Sequence, residues 1–143
     1  MNTDIKRIGI FGLSFSRDLD QTWFNPWRKE DGYSMDFFQL VEIDDEFDPI
    51  ETATKISFEQ GEELLTRIYE DGKVEEWKAT YGDDDEGMDT EFNWTLDIDD
   101  LEENDMLFSS GNGKLPPREL IMTVIKIIQE YEPQFCACFE EFK

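Results

Sequence analysis

One stretch of the chain, PPRELIMTVIKIIQEYEP at residues 116–133, indicates a helix more clearly than any other part of the sequence. Pro116 and Pro117 suit the start of a helix, and Pro133 ends the pattern. Between them, apolar residues recur at the three- and four-residue spacing of one helix face. They are Leu120, Ile121, Val124, Ile125, Ile127, Ile128 and Tyr131. We therefore predict one main helix at about residues 116–132, with its apolar side buried.

A second pattern precedes this helix, in EFNWTLDI at residues 91–98. Phe92, Trp94, Leu96 and Ile98 alternate with polar residues, which is the period of a half-buried strand. Shorter segments of strand character occur at 5–16, 36–43, 106–113 and 134–142. In the first of these we expect Ile8, Ile10, Leu13 and Phe15 to point inward, with a bulge at Gly12. In the last, either Phe135, Ala137 and Phe139 or Cys136 and Cys138 face the core.

Three further segments are assigned from turn residues. Asp71-Gly72 favours a hairpin between strands at 63–70 and 73–81, because both turn positions of such a hairpin need positive φ. Asp48-Pro49 favours a short helix at 49–59, although Thr52, Thr54 and Ile56 also suit a strand. Residues 18–35, which contain Pro26, are predicted to form a loop.

These segments together predict a single α+β domain spanning residues 1–143. Its expected architecture is an antiparallel or mixed sheet of five to seven strands with the main helix packed on it. The chain has 12 Phe and 4 Trp among its 143 residues, which is enough large aromatic surface to build a core. Disordered acidic chains usually lack such residues.

Charge is the most informative feature for function. The chain holds 36 acidic and 13 basic residues, for a net charge of −23. The acid is concentrated in residues 42–51 and in residues 83–105, where 12 of 23 positions are Asp or Glu. Residues 1–29 are instead slightly basic. Like charges at this density destabilise a folded chain. This cost favours a functional role for the acidic residues, although high charge also favours solubility.

The absence of histidine excludes the commonest catalytic and metal-binding sites, and we predict a protein that is not an enzyme. Carboxylate-pair catalysis is the alternative that the residues leave open. The acidic clusters lack EF-hand spacing, and Gly111-Asn112-Gly113-Lys114 lacks phosphate-loop spacing, so we predict no metal and no cofactor. Direct binding to nucleic acid or to a membrane is not expected, because both require basic residues against phosphate.

The cellular location follows from the cysteines and the apolar runs. Cys136 and Cys138 would lie too far apart in a strand for comfortable bridging, so free thiols in a reducing compartment are expected. The chain has no apolar run long enough to span a membrane, and its N-terminus lacks the features of a signal peptide. The predicted location is the cytoplasm.

In charge, size and lack of catalytic residue types, the chain resembles two groups of small acidic inhibitors. These are immunity proteins that neutralise toxin enzymes, and phage anti-defence proteins, including those of anti-CRISPR type, that mimic nucleic acid. The resemblance implies a basic partner protein, such as a nuclease or a nucleic-acid-binding complex, whose cleft is occluded. The alternative is a regulatory or scaffold module with a merely solubilising acidic surface.

The predicted partner-binding residues are mostly acidic, joined by two aromatics from the non-acidic region that suit an interface. They are Glu42, Asp44, Asp45, Glu46, Asp48, Asp83, Asp84, Asp85, Glu86, Asp89, Asp97, Asp99, Asp100, Glu102 and Glu103, together with Trp23 and Trp27. We expect residues 42–51 and 82–105 to form one continuous negative surface.

Overall fold

The computed structural model describes residues 7–17, 20–40, 42–43, 46–47, 49–81, 92–112 and 114–135, and all structural statements below concern these residues. Two helices, α1 (Phe58–Asp71) and α2 (Arg118–Tyr131), accompany the strands. The strands are β1 (Ile8–Arg17), β2 (Asp20–Lys29), β3 (Gly32–Leu40), β4 (Glu42–Ile43), β5 (Glu46–Phe47), β6 (Ile50–Ile56), β7 (Thr80–Tyr81), β8 (Phe92–Asp100) and β9 (Asp105–Asn112).

Seven of the strands form one mixed sheet in the order β6-β3-β2-β1-β8-β9-β7. All neighbours in it are antiparallel except β7 and β9, which pair in parallel. Strands β4 and β5 pair antiparallel in a separate two-stranded sheet. The predicted α+β class and the upper end of the predicted strand number are confirmed. The expectation of one main helix is incomplete, because α1 is as long as α2.

The core lies between one face of the sheet and the two helices. Every second residue of the central strands is buried there, as the alternation of β8 predicted. The buried sheet residues include Phe11, Leu13, Phe15, Phe24, Met35, Phe37, Phe92, Trp94, Leu96 and Ile98. Helix α2 adds Ile121, Val124, Ile125, Ile127 and Ile128, and α1 adds Leu64, Leu65 and Ile68. Full burial of one such side chain contributes about 1.5–3 kcal/mol, so this face dominates the stability.

Helix α1 overturns the predicted hairpin at 63–81. Its start is fixed by a capping box, in which the Ser57 hydroxyl accepts from the Gln60 N–H and the Gln60 side chain accepts from the Ser57 N–H, both at 3.0 Å. Asp71-Gly72 ends this helix instead of turning a hairpin, and Lys73 takes the left-handed conformation after it. A 3₁₀ turn (Val74–Glu76) follows, and only Thr80 and Tyr81 of the predicted second strand pair with the sheet.

The predicted loop at 18–35 is also wrong, because this region contains β2 and the start of β3. Pro26 argued against a strand, since it cannot donate to a ladder. The sheet accommodates it by an interruption: β1 and β2 pair at Ile10–Trp27 and again at Leu13–Phe24, with no bridge pairs between. The helix predicted at 49–59 is likewise replaced by β6, the strand alternative that its threonines favoured.

Strand β1 contains a bulge at Gly9, not at Gly12. The register with β8 shifts between Ile8 and Ile10, so Ile8 and Phe11 both face the core. Ile10 is therefore turned to the opposite face and is 36% exposed, against the prediction that it points inward. A side chain at Gly9 would place its Cβ 2.6 Å from the Asp100 carbonyl oxygen, which accounts for the glycine.

The predicted last strand at 134–142 lies largely outside the described residues, and so do both cysteines. Phe135 is described and is buried in the core. Its ring contacts those of Phe15, Phe24 and Phe37, with centroids 6.1–6.3 Å apart. The chain after α2 therefore returns to the inner face of the sheet.

Candidate interaction surface

The second face of the sheet, which we call the open face, has no described element packed on it. Residues alternate along each strand, so the neighbours of the core residues point to this side. Its described residues include Ile10, Gly12 and Ser14 of β1, Trp23, Asn25 and Trp27 of β2, Asp36 and Phe38 of β3, Glu51 of β6, Thr95, Asp97 and Asp99 of β8, and Asp105 and Phe108 of β9. Aromatic and acidic side chains thus share one surface.

The aromatic half of the open face is held in place by contacts among its own residues. The rings of Trp23 and Phe38 stack with centroids 5.4 Å apart. The Trp27 indole N–H donates to Asp36 Oδ2 at 2.8 Å, and the Ser34 hydroxyl donates to Asp36 Oδ1 at 2.6 Å. Both Asp36 oxygens are therefore satisfied within the protein. This half is a preorganised aromatic platform, and its one carboxylate serves to orient a tryptophan.

The acidic half differs, because its carboxylates have no counter-charge among the described residues. One oxygen from each of Asp97, Asp99 and Asp105 lies within 4.8 Å of the others. The Oδ1 atoms of Asp97 and Asp99 are buried and lack a hydrogen-bond partner. None of the described basic side chains forms an ion pair with this acidic triad. Three like charges are thus held together at a cost in folding energy.

The pKa of Asp99 reflects that cost. Burial, a hydrogen bond with Asp105 and repulsion from the Asp97 carboxylate together raise the pKa of Asp99 from 3.8 to about 6. The raised pKa shows that the surroundings of Asp99 disfavour the charged form of this carboxyl. A carboxylate kept charged against its environment is typical of functional sites, although structural networks also produce such shifts.

A groove joins the two halves of the open face. Its floor includes Gly12, which lies opposite Asp97 of β8 and has no side chain of its own. Trp23 of β2 and Asp99 of β8 line the same groove beside Ser14 and Ile10, on either side of Gly12 along β1. The groove has a volume of about 350 Å³. A Cβ at Gly12 would lie 2.9 Å from Asn25 Oδ1, so this amide oxygen also lies at the floor. The groove can receive a group that is both cationic and flat.

The turn between β8 and β9 places three further predicted residues beside the open face. Asp100 Oδ1 accepts from the N–H groups of Glu102, at 2.8 Å, and Asn104, at 3.0 Å. These bonds are the main cause of the lowered pKa of Asp100, and they give its side chain a structural role. Glu102 and Glu103 are exposed at the tip of the turn, where Glu103 has a positive φ of 66°.

The other predicted partner-binding residues fall into two groups. Trp23 and Trp27 lie on a strand of the open face, not in a loop. For Glu42 and Glu46 only the backbone is described, in the pairing of β4 with β5. The remainder lie outside the described residues: Asp44, Asp45, Asp48, Asp83, Asp84, Asp85, Glu86 and Asp89.

The continuous negative surface predicted for 42–51 and 82–105 is interrupted where it is described. Glu51 is exposed on β6, and the acidic triad is on β8 and β9. Strands β3, β2 and β1 separate β6 from β8, a distance of roughly 19 Å at the usual strand spacing. The aromatic platform fills this interval. The described acid thus flanks the platform on two sides, and the rest of the prediction concerns residues outside the description.

Sequence reasoning missed Gly12, Asp36, Phe38 and Asp105 as site residues. The alternation of β8 was sufficient to place Asp97 and Asp99 on one face, opposite the buried aromatics. Asp105 joins them only through the pairing of β8 with β9, and Gly12 only through the pairing of β1 with two neighbours. One local signal was available, because an interior glycine in a strand often marks a close approach of a ligand or another chain.

Metal binding at this surface is limited by the small number of ligand oxygens that the described carboxylates supply. The acidic triad could supply three oxygens to a hard cation, whereas Ca²⁺ takes 6–8. A larger concavity of about 610 Å³ lies near Trp27, Lys29 and Leu101. Its cations are already engaged: the Lys29 ammonium lies 4.8 Å from the centre of the Trp27 ring, and Arg28 donates to the Tyr33 hydroxyl at 3.1 Å. It offers no uncompensated charge comparable to the acidic triad.

Comparison with known proteins supplies no family: no protein-family model and no curated protein matches this chain. In the part of the chain that the structure describes, neither helix has the length and apolar character needed to cross a membrane.

Proposed function

We propose that this protein is an acidic inhibitor that binds a basic, nucleic-acid-handling partner protein and occludes its cleft. The observation that carries the proposal is the open face, where uncompensated carboxylates lie beside a preorganised aromatic platform. Interfaces are commonly centred on aromatic anchors, and charged groups around them set the rate and specificity of association. Carboxylates would take the place of phosphates in the partner's cleft.

The cost of the acidic triad supports binding over mere solubility. Acidic residues that serve only solubility are best placed apart and fully hydrated. Asp97 and Asp99 instead have buried oxygens that face a third carboxylate. A basic side chain of a partner would offset this repulsion, so part of the folding energy lost in the free protein is recovered in the complex.

The alternative is a regulatory or scaffold module whose interface is the aromatic platform alone. Its acidic residues would then contribute little to binding, because exposed charges are screened by salt. The two functions differ in how binding responds to ionic strength, which makes that response the decisive measurement.

The test begins with capture of partners from the native host on immobilised protein. Captured proteins are compared with those held by Asp97→Asn/Asp99→Asn, and the partner is purified. We expect the association rate to fall as salt rises, by more than the dissociation rate increases, because long-range fields act mainly on encounter. Nucleic acid and this protein should exclude each other from the partner.

The matched control is Glu63→Gln/Glu70→Gln, which removes the same charge from exposed positions on α1. Binding by this variant should remain close to that of the wild type. Affinity that is flat between low and high salt, with a ready ternary complex with nucleic acid, would contradict the proposal. Trp27→Ala would then test the aromatic platform as the interface of a scaffold module.

A further inference from the structure

We infer that the groove over Gly12 receives an arginine side chain of the partner protein, with the guanidinium between Trp23 and the carboxylates of β8. The inference rests on the proposed function for the existence of a protein partner. It adds which residue type is recognised and where on the open face recognition occurs.

The charge at the groove calls for a cation from outside the described chain. Asp97 and Asp99 line one side, and Asp105 adjoins them. The basic residues of neighbouring strands are engaged elsewhere: Lys55 pairs with Asp31, and Lys29 lies over the Trp27 ring. No described basic residue lines the groove. A partner's cation would therefore meet carboxylates without displacing an existing ion pair.

The aromatic ring in the lining favours a flat cation over a compact one: Trp23 lies opposite Ser14, two residues along β1 from Gly12, which pairs with Asp97. Trp23 is held by its stacking on Phe38, so its position is fixed before a ligand arrives. A guanidinium is planar, less strongly hydrated than an ammonium, and able to stack on an aromatic face while donating to carboxylates from its edge. A lysine ammonium provides the charge but not the plane. This pairing of an aromatic wall with a carboxylate wall selects arginine.

The floor and rim of the groove agree with a side chain as the ligand. A volume of about 350 Å³ is near the lower end of the range for small-molecule sites, about 300–1,000 Å³. Asn25 Oδ1 adds an acceptor at the floor. Ile10, 36% exposed, lines the groove, and Phe108, 51% exposed, is paired with Asp97. These exposed apolar residues offer contact area to the protein that carries the arginine.

The experiment uses the isolated full chain and a small probe, Nα-acetyl-arginine amide, followed by ¹⁵N NMR. The Gly12 amide and the Trp23 indole N–H should shift together as the probe is added. The matching lysine amide should bind more weakly at the same positions. Absence of any shift at these two groups, or equal binding of both amides, would overturn the inference. A response to Ca²⁺ alone, without one to arginine, would also overturn it.

Variants test the two walls and the floor separately. Asp97→Asn/Asp99→Asn should weaken arginine binding by about tenfold, the usual scale for lost charged hydrogen bonds. Gly12→Ala should also weaken it by narrowing the floor, and we expect this variant to fold because the nearest atom belongs to the movable Asn25 side chain. Glu63→Gln/Glu70→Gln should bind arginine as the wild type does. Unchanged binding in both groove variants would contradict the assignment.

These experiments distinguish failure of the groove assignment from failure of the proposed inhibitor function. If the partner binds in a salt-dependent way but Gly12→Ala does not affect it, the function stands and the groove assignment is overturned. If the partner binds with no salt dependence, the function fails, while the arginine titration still measures the groove directly. Loss of partner binding in Gly12→Ala, together with loss of arginine binding, supports the inference.

Discussion

The two faces of the central sheet are built from the same strands but by different rules. The inner face is mostly aromatic and aliphatic and packs with α1, α2 and Phe135 in one buried core, in which Thr22 and Gln39 are buried polar exceptions. The open face sets aromatic residues beside carboxylates that form no ion pair with a described basic residue. Stability therefore resides on one side of the sheet, while the other side retains features that cost stability and suit recognition.

We expect the largest effect on stability from a matched pair of substitutions, one phenylalanine on each face of the sheet. Phe92 on β8 is fully buried, whereas Phe108 on the adjacent β9 is 51% exposed. Phe92→Ala should lower the free energy of unfolding by about 3–5 kcal/mol, because it removes core contacts and leaves a cavity. Phe108→Ala should change it by less than about 0.5 kcal/mol. Chemical denaturation measures both, and equal effects would contradict the division between the faces.

A somewhat smaller effect is expected from the helix layer. Ile128→Ala in α2 should cost about 2–5 kcal/mol, since the side chain is fully buried. At temperatures where the variant remains folded, its partner affinity should be unchanged, because α2 lies on the side of the sheet away from the open face. A stability loss below about half a kcal/mol combined with abolished binding would make α2 a binding helix instead.

The smallest effect on the free energy of unfolding is an increase, and we expect it from replacing Asp99. In the folded chain the pKa of Asp99 is raised to about 6, so between about pH 4 and 6 the folded state binds more protons than the unfolded state. Stability contributed by this group therefore falls as pH rises through that window. Asp99→Asn should remove this dependence and stabilise the protein at pH 7.5 by about 1 kcal/mol, after allowance for solvent screening.

The control for that prediction is Glu63→Gln, which removes an exposed charge on α1, away from the acidic triad, and should not stabilise the protein at pH 7.5 as Asp99→Asn does. Denaturation of the three proteins from pH 4 to pH 8 makes the comparison. Destabilisation by Asp99→Asn at neutral pH would mean that the carboxylate has a stabilising partner and that the open face is not under charge repulsion.

The inner face was largely predictable from the sequence, because the spacing of apolar residues within each strand or helix determines which side chains are buried. The alternation from Phe92 to Ile98 and the spacing of apolar residues in α2 both matched the structure. Helix α1 was missed because Asp71-Gly72 was interpreted as a hairpin turn. Ser57 and Gln60 at capping-box spacing, followed by Leu64, Leu65 and Ile68, were the available signals for a helix.

The open face was predictable only in part, because pairing between distant strands creates it. Asp97 and Asp99 followed from alternation within one strand. Trp23 and Trp27 were selected as interface residues, but Pro26 suggested a loop for them, and only the neighbouring strands show how the sheet tolerates this proline. The groove could not be predicted, since no local pattern indicates that Gly12 lies beside Asn25 on one side and Asp97 on the other.

The sheet order determines when the groove over Gly12 forms during folding. Strands β1, β2, β3 and β6 form a meander of neighbours close in sequence, whereas β1 joins β8 across a long separation; the Ser14 hydroxyl and the Thr95 hydroxyl bond at 2.8 Å although 81 positions apart. Long-range pairs close large loops and are slow to form during folding. The groove straddles this seam, with Gly12 and Trp23 on one side and Asp97 and Asp99 on the other. A growing chain on the ribosome therefore has no groove until β8 has emerged and docked, so the proposed arginine site would exist only in the completed fold.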